Sequence, residues 1–296
     1  MTKGAPLGHL FLYAVPLLLA NWLQLAYNAV DSIIAGRFIG QDALAAEGVA
    51  GPVMNLVILA ISGLCIGAGV LMSEAFGAKR TARLKETLAT TLLFGAALCC
   101  AAAALGCALT PWILRALAVP DSIFGITGIY LRITFLGAPF TFFYNALAAG
   151  LKSVGDSKTP LLFLVIACII NIVLDLLFVV ALKMGIVGAA LATDISQLIS
   201  CIFIMLFLTR SQDVYHVKIR DIRLYDHLFS KIVKIGLPTG IQNIVISFSN
   251  VIVQSSVNSF GAVAMAGFAD PIKIDGVNIL PGGSFSMAAT TVDGQN

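Results

Sequence analysis

Charge is what this sequence has least of. Lys, Arg, Asp and Glu make up 11% of its 296 residues, against about 25% in an ordinary soluble domain. The formal net charge of +3 is too small and too scattered to point to nucleic acid as a partner. None of the six cysteines (65, 99, 100, 107, 168 and 201) forms a CxxC, and all lie in apolar stretches. Neither a zinc site nor a disulfide framework is therefore indicated, and buried small-residue packing is their expected role. HExxH, GxSxG and P-loop signatures are also missing, so nothing supports a membrane enzyme.

Apolar residues are present in abundance. They reach 59%, with a mean hydropathy of +0.96. A helix needs about 20 such residues to cross a bilayer. Eight runs qualify, near 10–36, 50–75, 87–109, 124–150, 160–182, 186–208, 229–256 and 263–290. The last carries Asp270, Lys273 and Asp275. None alternates polar and apolar residues as strands of a membrane barrel do. The first run is too long for a signal peptide and continues through Asn21 and Tyr27 without a cleavage site. The expected fold is an all-α polytopic membrane protein.

Basic residues orient the chain. With the N-terminus in the cytoplasm, the inner connections hold thirteen Lys and Arg, including Lys79, Arg80, Arg83 and Lys85. The outer connections hold three: Arg37, Arg115 and Lys183. The polar, basic connection 210–228 separates a six-helix unit, 1–209, from a two-helix unit, 229–296. The second unit repeats the start of the first. Pro16, Asn21, Asn28 and Phe38 correspond to Pro238, Asn243, Asn250 and Phe260, each 222 positions on. "ALAAEGVAGP" (43–52) then aligns with "AVAMAGFADP" (262–271). Six helices lie between the copies, so the repeats run parallel, as in transporters built of two related halves.

The acids inside the runs are the candidates for chemistry. A carboxylate at mid-bilayer costs about 2.5–3.5 kcal/mol on insertion scales. Asp31 lies in the first run, and Asn171 and Asp175 share a face of the fifth. Ala189 and Thr193 share a face of the sixth. Counted along their helices, these residues fall at one depth in the outer half of the bilayer. Two carboxylates, an amide and a hydroxyl are hard oxygen donors suited to a small cation or a shared proton. The alternative is that each acid caps a helix or pairs with a buried base. Arg132 is the one base clearly embedded in the first six runs. Gly63 and Gly67 form a GxxxG suited to close helix packing.

These residues also carry a resemblance. "AVPLLLANWLQLAYNAVDSIIAGRFIG", "SEAFGAKR" (73–80), "GDSKTP" (155–160), "NIVLDLLF" (171–178), "GIVGAALATDISQ" (185–197) and "FADPIKIDGVNILP" (268–281) resemble the multidrug and toxic compound extrusion (MATE) transporters. The resemblance implies two six-helix lobes around a cleft. It also implies export of amphipathic, often cationic compounds in exchange for H+ or Na+, with no cofactor. Its first-lobe cation site falls on Asp31, Asn171, Asp175, Thr193 and the carbonyl of Ala189, and its bending first helix on Pro16. Asp194 departs from the pattern, standing where the family has an apolar residue. It is expected either to join the site or to face the neighbouring lobe.

The second unit supplies a polar stripe of Gln242, Asn243, Asn250, Gln254 and Asn258. These residues either line the cleft or hydrogen-bond between helices. The expected protein is a multi-pass monomer of the plasma membrane, with a complete first lobe and the first two helices of the second. A repeat offset near 220 implies about 440 residues for two such halves. The chain is therefore expected to be a fragment, inactive alone, with the Gly63–Gly67 face missing part of its partner. A flippase for a lipid-linked precursor shares this architecture. Its basic cavity is disfavoured here because Arg132 is the lone embedded base.

Overall fold

The structure, a computed structural model, describes residues 6–211, 223–259 and 280–296. Among these residues every regular element is helical. The order is α1 (Pro6–Phe38), α2 (Gln41–Gly77), α3 (Thr81–Ala116), α4 (Asp121–Ser153) and α5 (Lys158–Asp175). A π-helical segment (Leu176–Ala181) continues α5, followed by α6 (Ile186–Arg210) and α7 (Asp226–Ser259). Residues 280–295 form α8. Seven of these spans, α5 joined to its π segment counting as one, are long and apolar enough to cross a membrane. Most of the eighth apolar run, with Asp270, Lys273 and Asp275, lies outside the described residues, as does the repeat 262–271.

The helices outrun the apolar stretches that specify them. α2 starts at Gln41, although its apolar run begins near 50, because polar first turns are compatible with a helix that reaches past the hydrocarbon. Tight turns join successive helices. Gly40 (φ 120°) and Gly185 (φ 61°) reverse the chain at the end shared by α1, α2 and α6, where a side chain would be strained. Buried hydroxyls spend themselves on the helix: Thr87, Thr91, Thr110 and Thr127 each donate to the carbonyl four residues back, at 2.7–2.8 Å.

The main core joins five helices through Met72, Leu84, Leu88, Leu92, Phe142, Leu147, Leu151, Ile204, Leu208 and Ile232. Glycines let the backbones close on aromatic rings, Gly95 on Phe142 and Gly106 on Phe135. Large apolar side chains such as Leu12 and Trp112 are exposed, as expected of a surface meeting lipid. Cys65, Cys99 and Cys168 are buried, but Cys100 is exposed and Cys107 and Cys201 are half-buried. Small-residue packing therefore describes only three of the six. Arg132 is exposed on α4 and faces away from the lobe interior, because its neighbour Leu131 takes the buried position.

The Gly63–Gly67 face has its partner, contrary to expectation. A Cβ on Gly63 would meet Gly240 Cα at 2.6 Å, and one on Gly67 would meet Gly236 N at 2.6 Å. Two GxxxG faces, one on α2 and one on α7, thus meet backbone to backbone. α8 covers the same end. Phe285 packs edge-on to Phe11 with centroids 5.2 Å apart, and Ala288 joins Tyr13, Ala14 and Leu17. Asn21 Nδ2 donates to Ser284 Oγ at 3.0 Å, and Gln295 Nε2 to the Ser153 carbonyl at 2.6 Å.

Gly63→Ala and Gly236→Ala must push α2 and α7 apart. Each is expected to cost roughly 1–3 kcal/mol and to lower the unfolding midpoint of the detergent-solubilised protein by about 2–8 °C. Gly48→Ala, where a Cβ meets nothing within 4 Å, is the control. Equal midpoints for all three variants would remove the glycine contact as a stabilising feature.

Candidate cation site

Three helices and the π segment bring most of the sequence-predicted site residues together. Successive antiparallel helices put Asp31, seven residues before the end of α1, level with Asp175 at the end of α5. Each residue of helix rises about 1.5 Å, so Asp31 lies about 10 Å from the end of α1, and six further residues of π segment extend beyond Asp175. α5 packs on α1 and α6, which closes the cluster laterally.

Asp175 is 0% exposed and Asn171 is 1% exposed. The Asp31 and Asp175 carboxyls lie within hydrogen-bonding reach of each other. Neither brings a donor. Asp31 Oδ1, both oxygens of Asp175 and Asn171 Oδ1 are enclosed and lack any hydrogen-bond partner. An enclosed polar atom left unpaired costs of the order of 1–3 kcal/mol, and a charged one more. Four orphaned oxygens in one place therefore ask for a cation or protons.

Thr193 organises the neutral side of the cluster. Its Oγ1 accepts from Asn171 Nδ2 at 3.3 Å and from the Tyr27 hydroxyl at 3.4 Å. A hydroxyl oxygen has two lone pairs, and both are in use. Thr193 can contact a cation through Oγ1 only by releasing one of these long bonds. The bond from Asn171 Nδ2 uses the donor side of that amide and leaves its Oδ1 free. Ala189, one turn from Thr193, is buried against Ile34 of α1 and Val179 of the π segment.

The π segment begins directly after Asp175. Its wider turn shows in the hydrogen bond from Leu182 N to Leu177 O, five residues back, at 2.8 Å. π-helical turns inside α-helices are frequent at functional sites. No sequence signal marks this one: it lies in an unbroken apolar run.

Asp194 takes neither expected direction. Its carboxylate lies against Gly137 of α4, inside the six-helix bundle, because one step along α6 turns it about 100° from Thr193. Pro16 is buried within an α1 that continues unbroken. On α7, Gln242 is exposed and Asn243 half-buried. The side chains of Asn250, Gln254 and Asn258 lie outside the described residues.

Three polar residues were not among the sequence candidates. Tyr27 is the donor to Thr193. Tyr130 of α4 stands within electrostatic range of Glu47, Asp31, Tyr27 and Asp194. Glu47 of α2 has an enclosed Oε1 without a partner. Its signal in the sequence is an acid three residues before an apolar run. Among the described residues, no three Asp, Glu, His or Cys side chains converge to hold one metal ion. The cluster is a pair of carboxylates with neutral oxygens.

Known proteins match this chain in sequence and fold. The MatE family model matches residues 16–177, a span that includes Pro16, Asp31, Asn171 and Asp175. The chain is 31% identical over 295 residues to "Probable multidrug resistance protein YpnP" of Bacillus subtilis (strain 168), matching 100% of this chain and 66% of that protein. "Crystal structure of MATE in the bent conformation" superposes with a TM-score of 0.90 at 25% identity, covering 98% of this chain and 65% of the other. "Outward-facing conformation of a multidrug resistance MATE family transporter of the MOP superfamily" gives 0.87 at 25% identity, covering 98% and 64%. The chain thus spans about two thirds of the length of these proteins. With more than half its residues matched by the family model, and with the same helical fold, this chain belongs to the MatE family, the MATE transporters.

Proposed function

We propose that the protein containing this chain exports amphipathic, often cationic compounds by antiport against Na+ or H+, with Asp31 and Asp175 binding the coupling cation. The observation that carries this reading is the set of orphaned oxygens on Asp31, Asn171 and Asp175. Buried carboxylates without a base or donor are stable only if neutralised from outside the protein. Multidrug resistance appears in the names of similar proteins, and it supports the substrate class proposed.

Alternating access supplies the coupling. A cation shifts a two-state equilibrium only if it binds one state more tightly. Binding at Asp31 and Asp175 draws α1, α5 and the π segment together around the charge. α1 can then bend at Pro16, where proline lacks the amide hydrogen that a regular helix would bond. The α2–α7 glycine contact and the α8 contacts close one end of the bundle. By the distribution of Lys and Arg, the closed end is cytoplasmic, and the N-terminus lies on the same side.

Asp175→Asn and Asp31→Asn are expected to insert and fold but to lose efflux driven by an imposed Na+ or H+ gradient in proteoliposomes. Gradient-driven efflux retained in both variants would sink the shared site. Asn171→Ala and Thr193→Ala each delete one neutral oxygen. Each should weaken the cation dependence by about tenfold, the equivalent of ~1.4 kcal/mol, while the maximal rate changes little.

Orientation has its own check. In a background without native cysteines, Lys183→Cys should react with a membrane-impermeant maleimide on intact cells. Lys79→Cys should react only after permeabilisation. The opposite pattern would invert the assigned topology.

A further inference from the structure

Glu47 is not used by the site as described, and its position is costly. It lies on the face of α2 that carries Ala43 and Ala50, which are 1% and 0% exposed, so the side chain is directed into the bundle. It is the seventh residue of α2, beyond the first turn in which a helix terminus favours an acid. Its Oε1 is enclosed with no hydrogen-bond partner. Structural roles for a buried acid, such as capping or ion pairing, are therefore unfilled here.

Its surroundings point toward a path. Ser32, which is exposed, is within hydrogen-bonding reach of Glu47, and Asp31 and the Tyr130 hydroxyl stand close by. Exposure falls in order through this set: Ser32 is open, Glu47 and Asp31 are half-buried, and Asp175 is 0% exposed. The acids do not converge on a single point, so Glu47 is not a ligand in the same shell as Asp31 and Asp175. Asn171, 1% exposed with a free Oδ1, marks the inner end of the set as a place that lacks a ligand.

We infer that Glu47 is the entry carboxylate of the cation path, taking a monovalent cation at Ser32 and passing it by Asp31 to Asp175. This rests on the reading of Asp31 and Asp175 as the coupling pair. A fixed negative charge at the entrance raises the local cation concentration. It also gives the ion an oxygen ligand while it sheds water, before the enclosed pair is reached. Glu47 therefore governs how readily the site fills, and Asp175 governs whether filling drives export.

The test uses the protein in proteoliposomes, with ethidium as the exported probe. Na+ at constant pH drives one arm, and H+, imposed as a pH gradient, drives the other. The arm that drives efflux in the unaltered protein is the one read. Glu47→Gln is expected to raise the half-saturating cation concentration by about tenfold, with the maximal rate kept within about twofold. Glu47→Asp should restore most of the cation dependence. If Glu47→Gln fails to fold, Glu47→Asp carries the test through a smaller shift of the same sign. An unchanged half-saturating cation concentration overturns the inference. So does a shift in the half-saturating ethidium concentration alone, which would make Glu47 a substrate contact. Loss of drive at saturating cation, as in Asp175→Asn, overturns it too. Absence of drive in both arms, or drive that survives Asp175→Asn, refutes the coupling pair itself and the role of Glu47 with it.

Discussion

Two enclosed carboxylates meet with no base paired to them among the described residues, and the rest of the site is arranged around that constraint. Asp175 has neither solvent nor a hydrogen-bond donor on either oxygen. In a low-dielectric interior an uncompensated charge is penalised heavily, so the pair binds a cation, takes up protons, or forces its helices apart. The polar groups nearby do not relieve it. Asn171 and Tyr27 spend their donors on Thr193 rather than on the acids. The pair thus keeps enclosed oxygens without donors, which is the physical ground for the proposed cation role.

Shape is held mainly at the opposite end. There α2 and α7 meet through four glycines, and α8 adds aromatic packing and two hydrogen bonds onto α1 and α4. Without side chains between them, the two backbones have a contact that is either made or lost, with little room for intermediate separations. Such a contact suits a two-state element. The cation pair and the glycine contact lie at different depths of the bundle, and the long helices α1 and α2 run between them.

The site was legible in the sequence to the extent that hydropathy and helical period reach. An acid inside an apolar run is conspicuous, and a spacing of four put Asn171 beside Asp175 and Ala189 beside Thr193. Glu47 escapes a reading by hydropathy because the apolar run begins near residue 50, whereas α2 starts nine residues earlier, at Gln41. Asp194 shows the limit of the period: it separated Asp194 from Thr193 but could not name Gly137 as the surface it meets. Arg132 seemed embedded for the same reason, because a run has no inside and outside until its neighbours are placed.

Composition and order alone determined that the chain is a set of membrane-crossing helices, that its second unit echoes the start of the first, and which few polar residues lie within apolar runs. These follow from local rules: the thickness of hydrocarbon, the rise of a helix, and the cost of an isolated charge. Tertiary structure decided which faces meet. It brought Gly63 and Gly67 onto Gly236 and Gly240, although about 170 residues of chain separate the two faces. It left Asp31 and Asp175 without donors and turned Glu47 toward them. Contacts between distant segments depend on the shape complementarity of whole helix faces, which is a property of neither segment taken singly.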